Sequence, residues 1–259
     1  KALKKVLPLE KKTNQFFETF QHCLTDTLWK NVYQLPAANY LEYDLKQKRI
    51  KINEYWQFKK RKINVKTCEE ELEYLLKNSI NLRTQSDVPY GLHYSKGIDS
   101  SLISTFHNFK YKFYFDDQKN WKKDFTKNIS KIVKHLDFPV GSLSSYPLWK
   151  LSQRVSKKKI KVILSGEGAD EIFGGYVRYM PIYSQWALYN KFRSYKFLFD
   201  KFYYDYPEGF VYLTARNKNL KLVNRLISPF FKEFDDPINA MGYFDFKVIM
   251  PSLLQMGDR

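Results

Sequence analysis

Apolar and polar positions change their period several times along this chain, and each change predicts a new element. Between residues 11 and 29, phenylalanines and leucines recur at helical spacing and predict a helix. From Val32 onward the period shortens, and residues 40–45 and 50–56 predict two strands. The polar residues 46–49 lie between them and predict the turn of a hairpin.

Strand-like and helix-like patterns alternate through the middle of the chain. Thr67, with Glu70 three residues later, is a capping-box start and opens a predicted amphipathic helix. Its apolar stripe consists of Leu72, Leu75, Leu76 and Ile80. The elements predicted after it are a strand within 88–94, a helix containing Leu102, Ile103 and Phe106, a strand at 111–115, helices at 125–136 and 147–155, and a strand at 160–164. This alternation favours an α/β fold with a mostly parallel sheet and flanking helices.

The last third of the chain has a different character. Residues 177–259 are rich in aromatic side chains and mainly helical by spacing. Breaks are predicted near residues 206–209 and near residues 228–229, where prolines and a glycine interrupt the pattern. We therefore expect a helical C-terminal part that follows the sheet.

The composition narrows the class of protein only modestly. The 259 residues are 44% hydrophobic, which is typical of a globular chain, and no apolar run is long enough to span a membrane. Cys23 and Cys68 lie far apart, which favours reduced thiols over a disulfide. The four histidines lack the spacing of metal ligands, so we expect no zinc site. Residues 1–10 show no signal-peptide pattern, and we expect a cytoplasmic protein.

The net charge of +17 would attract polyanions such as ATP, pyrophosphate or nucleic acid. The lysines, however, are scattered along the whole chain, so a compositional bias explains the charge better than a dedicated nucleic-acid surface. The charge alone therefore assigns no partner.

Two strand-end loops carry the candidate chemistry. The first reads Ser95-Lys96-Gly97-Ile98-Asp99-Ser100-Ser101 and leads from a strand into a helix. Unpaired backbone N–H groups at a helix start, together with serine hydroxyls, suit an oxyanion such as pyrophosphate. Asp99 would repel phosphate by itself, so it makes sense mainly as a magnesium ligand. For this loop alone, an aspartate N-cap with serine neighbours explains the residues equally well.

The second loop favours the magnesium-ligand interpretation of Asp99 over the N-cap interpretation. It follows the strand at 160–164 and reads Ser165-Gly166-Glu167-Gly168-Ala169-Asp170-Glu171. Its glycines allow close approach of a ligand, and Asp170 supplies a second carboxylate. Because ligands of such sheets lie at the carboxyl ends of strands, we predict a magnesium ion held between Asp99 and Asp170. Glu167 would then remain for the reacting group, whereas the alternative is a charged helix cap.

Both loops resemble known signatures. The first is similar to the Ser-Gly-Gly-x-Asp-Ser-Ser signature of the ATP pyrophosphatase class. Residues 165–176 resemble the second signature of the glutamine-hydrolysing asparagine synthetases, which close relatives such as β-lactam synthetases share. Residues 27–45 resemble the end of that family's glutaminase domain, residues 86–89 resemble the approach to its nucleotide strand, and residues 244–259 resemble a later helical motif.

The resemblance implies a fold, a reaction and a domain order. The fold would be adenine nucleotide alpha hydrolase-like, with residues 1–58 as the β remnant of a glutaminase-like tail and residues 59–259 as a synthetase domain incomplete at its C-terminus. ATP would activate aspartate as a β-aspartyl-adenylate with release of pyrophosphate, and ammonia would then give asparagine. The implied cofactors are ATP and Mg²⁺, and ammonia could come from glutamine through a glutaminase domain. Membrane and nucleic-acid partners are not implied, and a homodimer stays open.

Site residues follow by motif position. The residues implied to bind ATP or pyrophosphate are His93, Ser95, Gly97, Asp99, Ser100, Ser101, Ser165 and Gly166. Asp99 and Asp170 would bind magnesium, and Glu167 would assist the acyl transfer as general base or by orienting the intermediate.

The chain also departs from the family pattern. Lys96 occupies a position where the signature has glycine, and His93 occupies one where the family has an aliphatic residue near adenine. The two signatures are closer together than usual, which predicts a missing strand–helix segment between about residues 115 and 135. Residue 1 is Lys, where the family's glutaminase has its nucleophilic cysteine. We therefore expect a fragment, a split subunit or a decayed copy.

Two other functions remain as alternatives. The departures favour a catalytically impaired nucleotide-binding remnant or partner subunit of the same family. A transfer-RNA-modifying ATP pyrophosphatase would use the basic surface, but those enzymes do not share the Gly-Glu-Gly-Ala-Asp-Glu segment.

Overall fold

A computed structural model describes residues 9–20, 25–59, 66–115, 120–136, 143–191, 220–234 and 236–258. The chain forms two compact units. The sheet unit comprises residues Gln57–Glu167 together with Arg259, and the helical unit comprises Lys1–Trp56 and Gly168–Asp258. No helix among the described residues is long and apolar enough to cross a membrane.

The sheet unit is a small parallel α/β arrangement, as the alternating pattern predicted. Its elements are α2 (Cys68–Thr84), β3 (Tyr90–His93), α3 (Ile98–Phe106), β4 (Lys112–Phe113), α4 (Trp121–Leu136), α5 (Ser145–Lys157) and β5 (Val162–Leu164). The strand order is β4-β3-β5, and both pairings are parallel. The general α/β prediction is confirmed, while the adenine nucleotide alpha hydrolase-like assignment stays a prediction.

Apolar packing on both sides fixes the central strand. Leu92 of β3 is fully buried, and it packs with Ile80 of α2 and with Phe109. A second cluster joins Phe113 of β4 to α5 and to the residues that precede β5. Gly91 allows β4 to approach, because a Cβ there would lie 2.9 Å from the Tyr111 carbonyl oxygen.

The helical unit contains the hairpin and the helices that follow the second loop. Its elements are α1 (Gln15–Phe20), β1 (Asn39–Asp44), β2 (Arg49–Glu54), α6 (Ala169–Phe173), α7 (Tyr179–Lys191), α8 (Leu220–Phe231), α9 (Pro237–Val248) and α10 (Met250–Asp258). Its buried core is formed by Tyr179, Ile227, Phe231, Ala240, Met241, Phe244 and Val248. The hairpin β1–β2 is antiparallel, and the Asp44 carboxylate accepts from the N–H groups of Lys46 and Gln47 in the turn.

Three predictions about helices need correction. The N-terminal helix spans six described residues instead of the whole of 11–29, and Lys11 pairs with Trp29 in an isolated bridge. The Thr27 hydroxyl contacts the Trp29 N–H and the Val32 carbonyl, and such local side-chain bonds compete with helix formation. Residues 21–24 of the predicted helix lie outside the described residues.

The second correction concerns α2, whose start and stripe differ from the prediction. Thr67 is the N-cap residue, but its side chain makes no capping hydrogen bond because its backbone has helical rather than extended angles. Ile80 is buried, whereas Leu72 and Leu75 are 40% and 52% exposed, so only one end of the predicted stripe is covered. In α8, the third case, the helix continues through Pro229 to Phe231 instead of breaking at residues 228–229, although Pro229 has no N–H to donate to the preceding turn. The break predicted at 206–209 lies outside the described residues.

Candidate nucleotide site

The candidate site of the sheet unit lies at the carboxyl edge of its central strands. Because β3 and β5 are parallel neighbours, with Leu92 opposite Leu164, the segments that follow them emerge at the same edge. This is the edge where open α/β sheets bind their ligands. The sequence prediction that both loops lie at strand ends is therefore confirmed.

Serine hydroxyls hold the first loop in shape. Ser100 is buried, and its hydroxyl accepts from the Ser95 N–H at 3.1 Å and donates to the Gly97 carbonyl at 3.3 Å. The Ser95 hydroxyl lies 3.1 Å from that of Ser100 and accepts from the Gly97 N–H at 3.2 Å. The Ser101 hydroxyl donates to the Tyr94 hydroxyl at 3.3 Å. These serines thus stabilise the turn into α3, and their predicted contacts with pyrophosphate stay a prediction.

Lys96 adopts the conformation for which glycine is best suited. Its φ is +63°, in the left-handed region that side chains rarely occupy. The side chain is exposed, and Gly97 follows in extended conformation as the N-cap of α3. The side chain of Lys96 therefore strains the backbone at this turn.

Replacing Lys96 by glycine should stabilise the chain slightly. The left-handed backbone costs a side chain about 1–2 kcal/mol, and the greater entropy of glycine in the unfolded chain offsets about 0.5–1 kcal/mol of that gain. We expect Lys96→Gly to raise the free energy of unfolding by about 0.5 kcal/mol in urea denaturation. Lys96→Met is the control, because it removes the charge but keeps the Cβ atom. A stabilisation of the methionine variant equal to that of the glycine variant would assign the effect to charge instead.

The two loops of the sheet unit meet at Gly166. A Cβ atom on Gly166 would lie 2.9 Å from the Asp99 Cβ and 3.4 Å from the Ser100 backbone nitrogen. Only glycine permits this approach without moving the start of α3. The structure thus brings together Gly166 and Asp99, two of the residues implied to bind the nucleotide, although the sequence did not predict this contact. Ser165 and Glu167, on either side of Gly166, are both exposed.

His93 ends β3 directly before the first loop. Its Nε2 atom is buried and has no hydrogen-bond partner among the described residues. Burial lowers the pKa of the imidazole below its usual value, because desolvation disfavours the charged form. A neutral imidazole with an unused polar atom at a strand's carboxyl end is compatible with a contact to a nucleotide, and this contact stays a prediction.

The acidic end of the second loop belongs to the helical unit. Gly168 has a φ of +95° and caps α6, whose first turn contains the partly buried Asp170 and the buried Glu171. The Tyr176 hydroxyl donates to the Glu171 carboxylate. Since Asp99 lies in the other unit, the shared magnesium ion of Asp99 and Asp170 stays a prediction.

Sequence reasoning gave no role to a buried ion pair in the helical unit. Asp245 of α9 is fully buried, and it accepts hydrogen bonds from Arg178 and from the Tyr179 hydroxyl. Burial raises the pKa of Asp245 to about 6, although the Arg178 guanidinium opposes this shift. The sequence did contain a signal for this pair, because Asp245 lies between two phenylalanines on an apolar helix. A carboxylate buried at such a position needs a charged or hydrogen-bonding partner.

The donor chemistry around the first loop fits a hard cation bound together with phosphate. Asp99 supplies carboxylate oxygens, and it lies directly beside Gly166 of the second loop at the same edge of the sheet. Among the described residues, no three His, Cys, Asp or Glu side chains lie close enough together to hold a metal ion by themselves. Phosphate oxygens would therefore have to supply some of the ligands.

A parallel sheet with two glycine-containing loops at its carboxyl edge defines the class: a mixed α/β protein compatible with a nucleotide-binding synthetase domain. The sequence profile of the asparagine synthase family matches residues 71–112 and 118–259. Because the match covers more than half of the chain, the protein belongs to the asparagine synthase family. The interruption between the two matched segments lies close to the predicted missing segment, which itself stays a prediction.

Curated relatives agree with this assignment. The chain is 31% identical over 188 residues to a protein of Methanocaldococcus jannaschii provisionally named a glutamine-hydrolysing asparagine synthetase, with 61% of this chain and 36% of the relative aligned. It is 34% identical to asparagine synthetase 1 of Bacillus subtilis (44% and 24% covered) and 26% identical to asparagine synthetase B of Escherichia coli (57% and 34% covered). The aligned part therefore spans between a quarter and about a third of these relatives.

Proposed function

We propose that this chain carries the ATP-binding part of an amide-forming ligase that converts aspartate to asparagine. The observation that supports it most directly is the contact of Gly166 with Asp99 and Ser100 at the carboxyl edge of the sheet. This contact joins the two family signatures in one place. ATP and Mg²⁺ would be the cofactors, and ammonia, free or released from glutamine by a glutaminase domain, would be the nitrogen donor.

The proposed reaction assigns a task to each group. A carboxylate oxygen of aspartate attacks the α-phosphorus of ATP, the bond to the β-phosphate breaks, and pyrophosphate leaves. Asp99 and Asp170 would hold Mg²⁺, which supplies charge neutralisation for the phosphates. Backbone N–H groups and hydroxyls of the Ser95–Ser101 loop would orient the departing pyrophosphate. His93, Ser165 and Gly166 would contact the nucleotide.

The second half of the reaction uses ammonia. Its nitrogen attacks the acyl carbon of the β-aspartyl-adenylate, the bond to AMP breaks, and AMP leaves. Glu167 is exposed and directly follows Gly166, so it is suited to accept the proton that the attacking nitrogen releases. In this proposal residues 59–259 form the synthetase part and residues 1–58 the tail of a glutaminase-like domain.

A second function is favoured by one specific observation. Lys96 has a left-handed backbone at a phosphate-loop position where the family signature has glycine. A loop altered in this way is also compatible with a member of the family that binds nucleotide but has lost turnover.

Binding and turnover measurements separate these functions. In calorimetry, we expect heat from Mg²⁺-ATP binding to the parent chain and at least tenfold weaker binding by Asp99→Ala and Asp170→Ala, because each removes a magnesium ligand. Glu69→Ala, which removes an exposed carboxylate of α2, is the matched control and should bind like the parent. Glu167→Gln should keep nucleotide binding and lower asparagine formation at least a hundredfold.

The possible outcomes are distinct. Aspartate-dependent pyrophosphate release with ammonium as donor supports the ligase. Binding of Mg²⁺-ATP without release of pyrophosphate supports the catalytically impaired family member. An absence of binding heat in the parent chain contradicts the nucleotide assignment.

A further inference from the structure

A short return segment, residues 174–178, connects α6 to α7 and folds back over the acidic turn. Gly174 has a φ of +68°, which reverses the chain direction after α6. The Gly175 N–H then donates to the Asp170 carbonyl oxygen at 3.0 Å. A Cβ atom on Gly175 would collide with the Asp170 carboxylate, so the backbone of the return segment lies directly against that side chain.

The next residues of the return segment tie the same turn to the core. The Tyr176 hydroxyl donates to the Glu171 carboxylate, one residue after Asp170. The Arg178 guanidinium lies over the Tyr176 ring, with 3.7 Å from Cζ to the ring centroid. Arg178 in turn donates to the buried carboxylate of Asp245. An unbroken series of contacts therefore leads from α9 to the turn that carries Asp170.

The α9 end of this series of contacts lies in the hydrophobic core. Asp245 is fully buried, and Phe244 and Met241 of the same helix belong to that core. The Gly242 backbone packs against the same turn, because a Cβ there would lie 2.9 Å from the Glu171 carbonyl oxygen. The α6 turn is thus held from its backbone side by α9 and from its side-chain side by the return segment.

We propose that Tyr176 and Arg178 are positioning residues, which fix the direction of the Asp170 carboxylate and thereby set the metal affinity of the acidic loop. This inference rests on the proposed function, because it takes Asp170 as a magnesium ligand. Neither side chain needs to touch metal or nucleotide for this role. Groups that orient a metal ligand from behind commonly change metal affinity 10–100-fold when they are removed.

A matched pair of tyrosine variants separates positioning from stability. Tyr176→Phe removes the hydroxyl that contacts Glu171, whereas Tyr179→Phe removes a hydroxyl that contacts Asp245 and leaves the Arg178–Tyr176 stack in place. The probe is Mn²⁺ in the presence of pyrophosphate, with bound and free ion measured by electron paramagnetic resonance. Thermal denaturation reports the stability of each variant.

We expect both variants to lower Tm by a few degrees, since each loses one hydrogen bond of a buried network. We expect Tyr176→Phe to weaken Mn²⁺ binding about tenfold, while Tyr179→Phe stays within about twofold of the parent. Arg178→Lys keeps a charge for Asp245 but loses the planar face over Tyr176, so it should weaken Mn²⁺ binding several-fold. This variant provides the test if Tyr176→Phe does not fold.

The outcomes distinguish this inference from the proposed function. Parent-like Mn²⁺ affinity in Tyr176→Phe, or equal losses in both tyrosine variants, overturns the positioning role and leaves the metal site intact. An absence of Mn²⁺ binding by the parent chain overturns the metal assignment of Asp170, and the positioning role fails with it.

Discussion

Gly166→Ala is expected to weaken Mg²⁺-ATP binding at least tenfold. The new methyl group would lie 2.9 Å from the Asp99 Cβ, closer than real Cβ atoms approach another atom, and 3.4 Å from the Ser100 backbone nitrogen. Neither neighbour is the flexible end of a long side chain, so the first turn of α3 must shift. Overpacking of this kind costs about 1–3 kcal/mol of stability. The shift also moves the carboxylate proposed to hold the metal ion, and small displacements of such groups lower affinity.

Gly91→Ala is the matched control for that variant. Its methyl group would lie 2.9 Å from the Tyr111 carbonyl oxygen, between β3 and β4, and should cost a similar amount of stability. Calorimetry below the denaturation temperature should nevertheless find nucleotide affinity within about threefold of the parent, because the change lies away from the two loops. If both variants lose affinity equally, the meeting of the loops at Gly166 has no special role in binding.

Arg178→Met is expected to be the most destabilising single change in the helical unit. It leaves the fully buried Asp245 without its cationic partner, and the loss of one member of a buried pair costs about 3–5 kcal/mol. The Tyr179 hydroxyl still donates to the carboxylate but does not neutralise its charge. The double variant Arg178→Met/Asp245→Asn removes that charge and should recover most of the loss in urea denaturation at pH 7.5.

The pH dependence gives a second measurement on the same pair. Burial raises the pKa of Asp245 from 3.8 to about 6 in the folded chain. Between these values the folded state holds a proton that the unfolded state has released, so this group's contribution to stability falls as the pH rises. The free energy of unfolding changes through this group by at most about 1.4 kcal/mol per pH unit.

In Arg178→Met the pKa of Asp245 should rise further. The pH range in which the folded chain holds the extra proton should then extend above pH 6. The penalty of this variant should therefore be smaller at pH 5 than at pH 7.5. Asp245→Asn should lack this component of the pH dependence altogether. A cost below about 1 kcal/mol for Arg178→Met at pH 7.5 would contradict the buried ion pair.

Local patterns predicted much of the secondary structure because their cause is local. The hairpin followed from two alternating segments around a polar turn, and Asp44 closes that turn through its own side chain. The helices and strands of the sheet unit followed from the change between helical and strand-like spacing. Where nearby side chains bond to the backbone, as Thr27 does, spacing alone predicted too long a helix.

Burial was harder to predict than element type. The stripe of α2 has the spacing of a buried face, yet Leu75 is half exposed while Ile80 is covered. Spacing states which residues share a face, but which part of that face is covered depends on the elements packed against it. The same limit applied to Asp245, whose burial and pairing with Arg178 depend on a contact across 67 positions of sequence.

The sequence by itself determined the α/β class, the two glycine-containing loops with their aspartates and the resemblance to the asparagine synthase family, because these depend on residue types and short spacings. Only the tertiary structure decided that Gly166 lies against the Asp99 turn, that Lys96 has a left-handed backbone and that a buried ion pair supports the turn of Asp170. The Gly166 contact and the ion pair join residues that are far apart in the sequence. No local pattern encodes the distance between them.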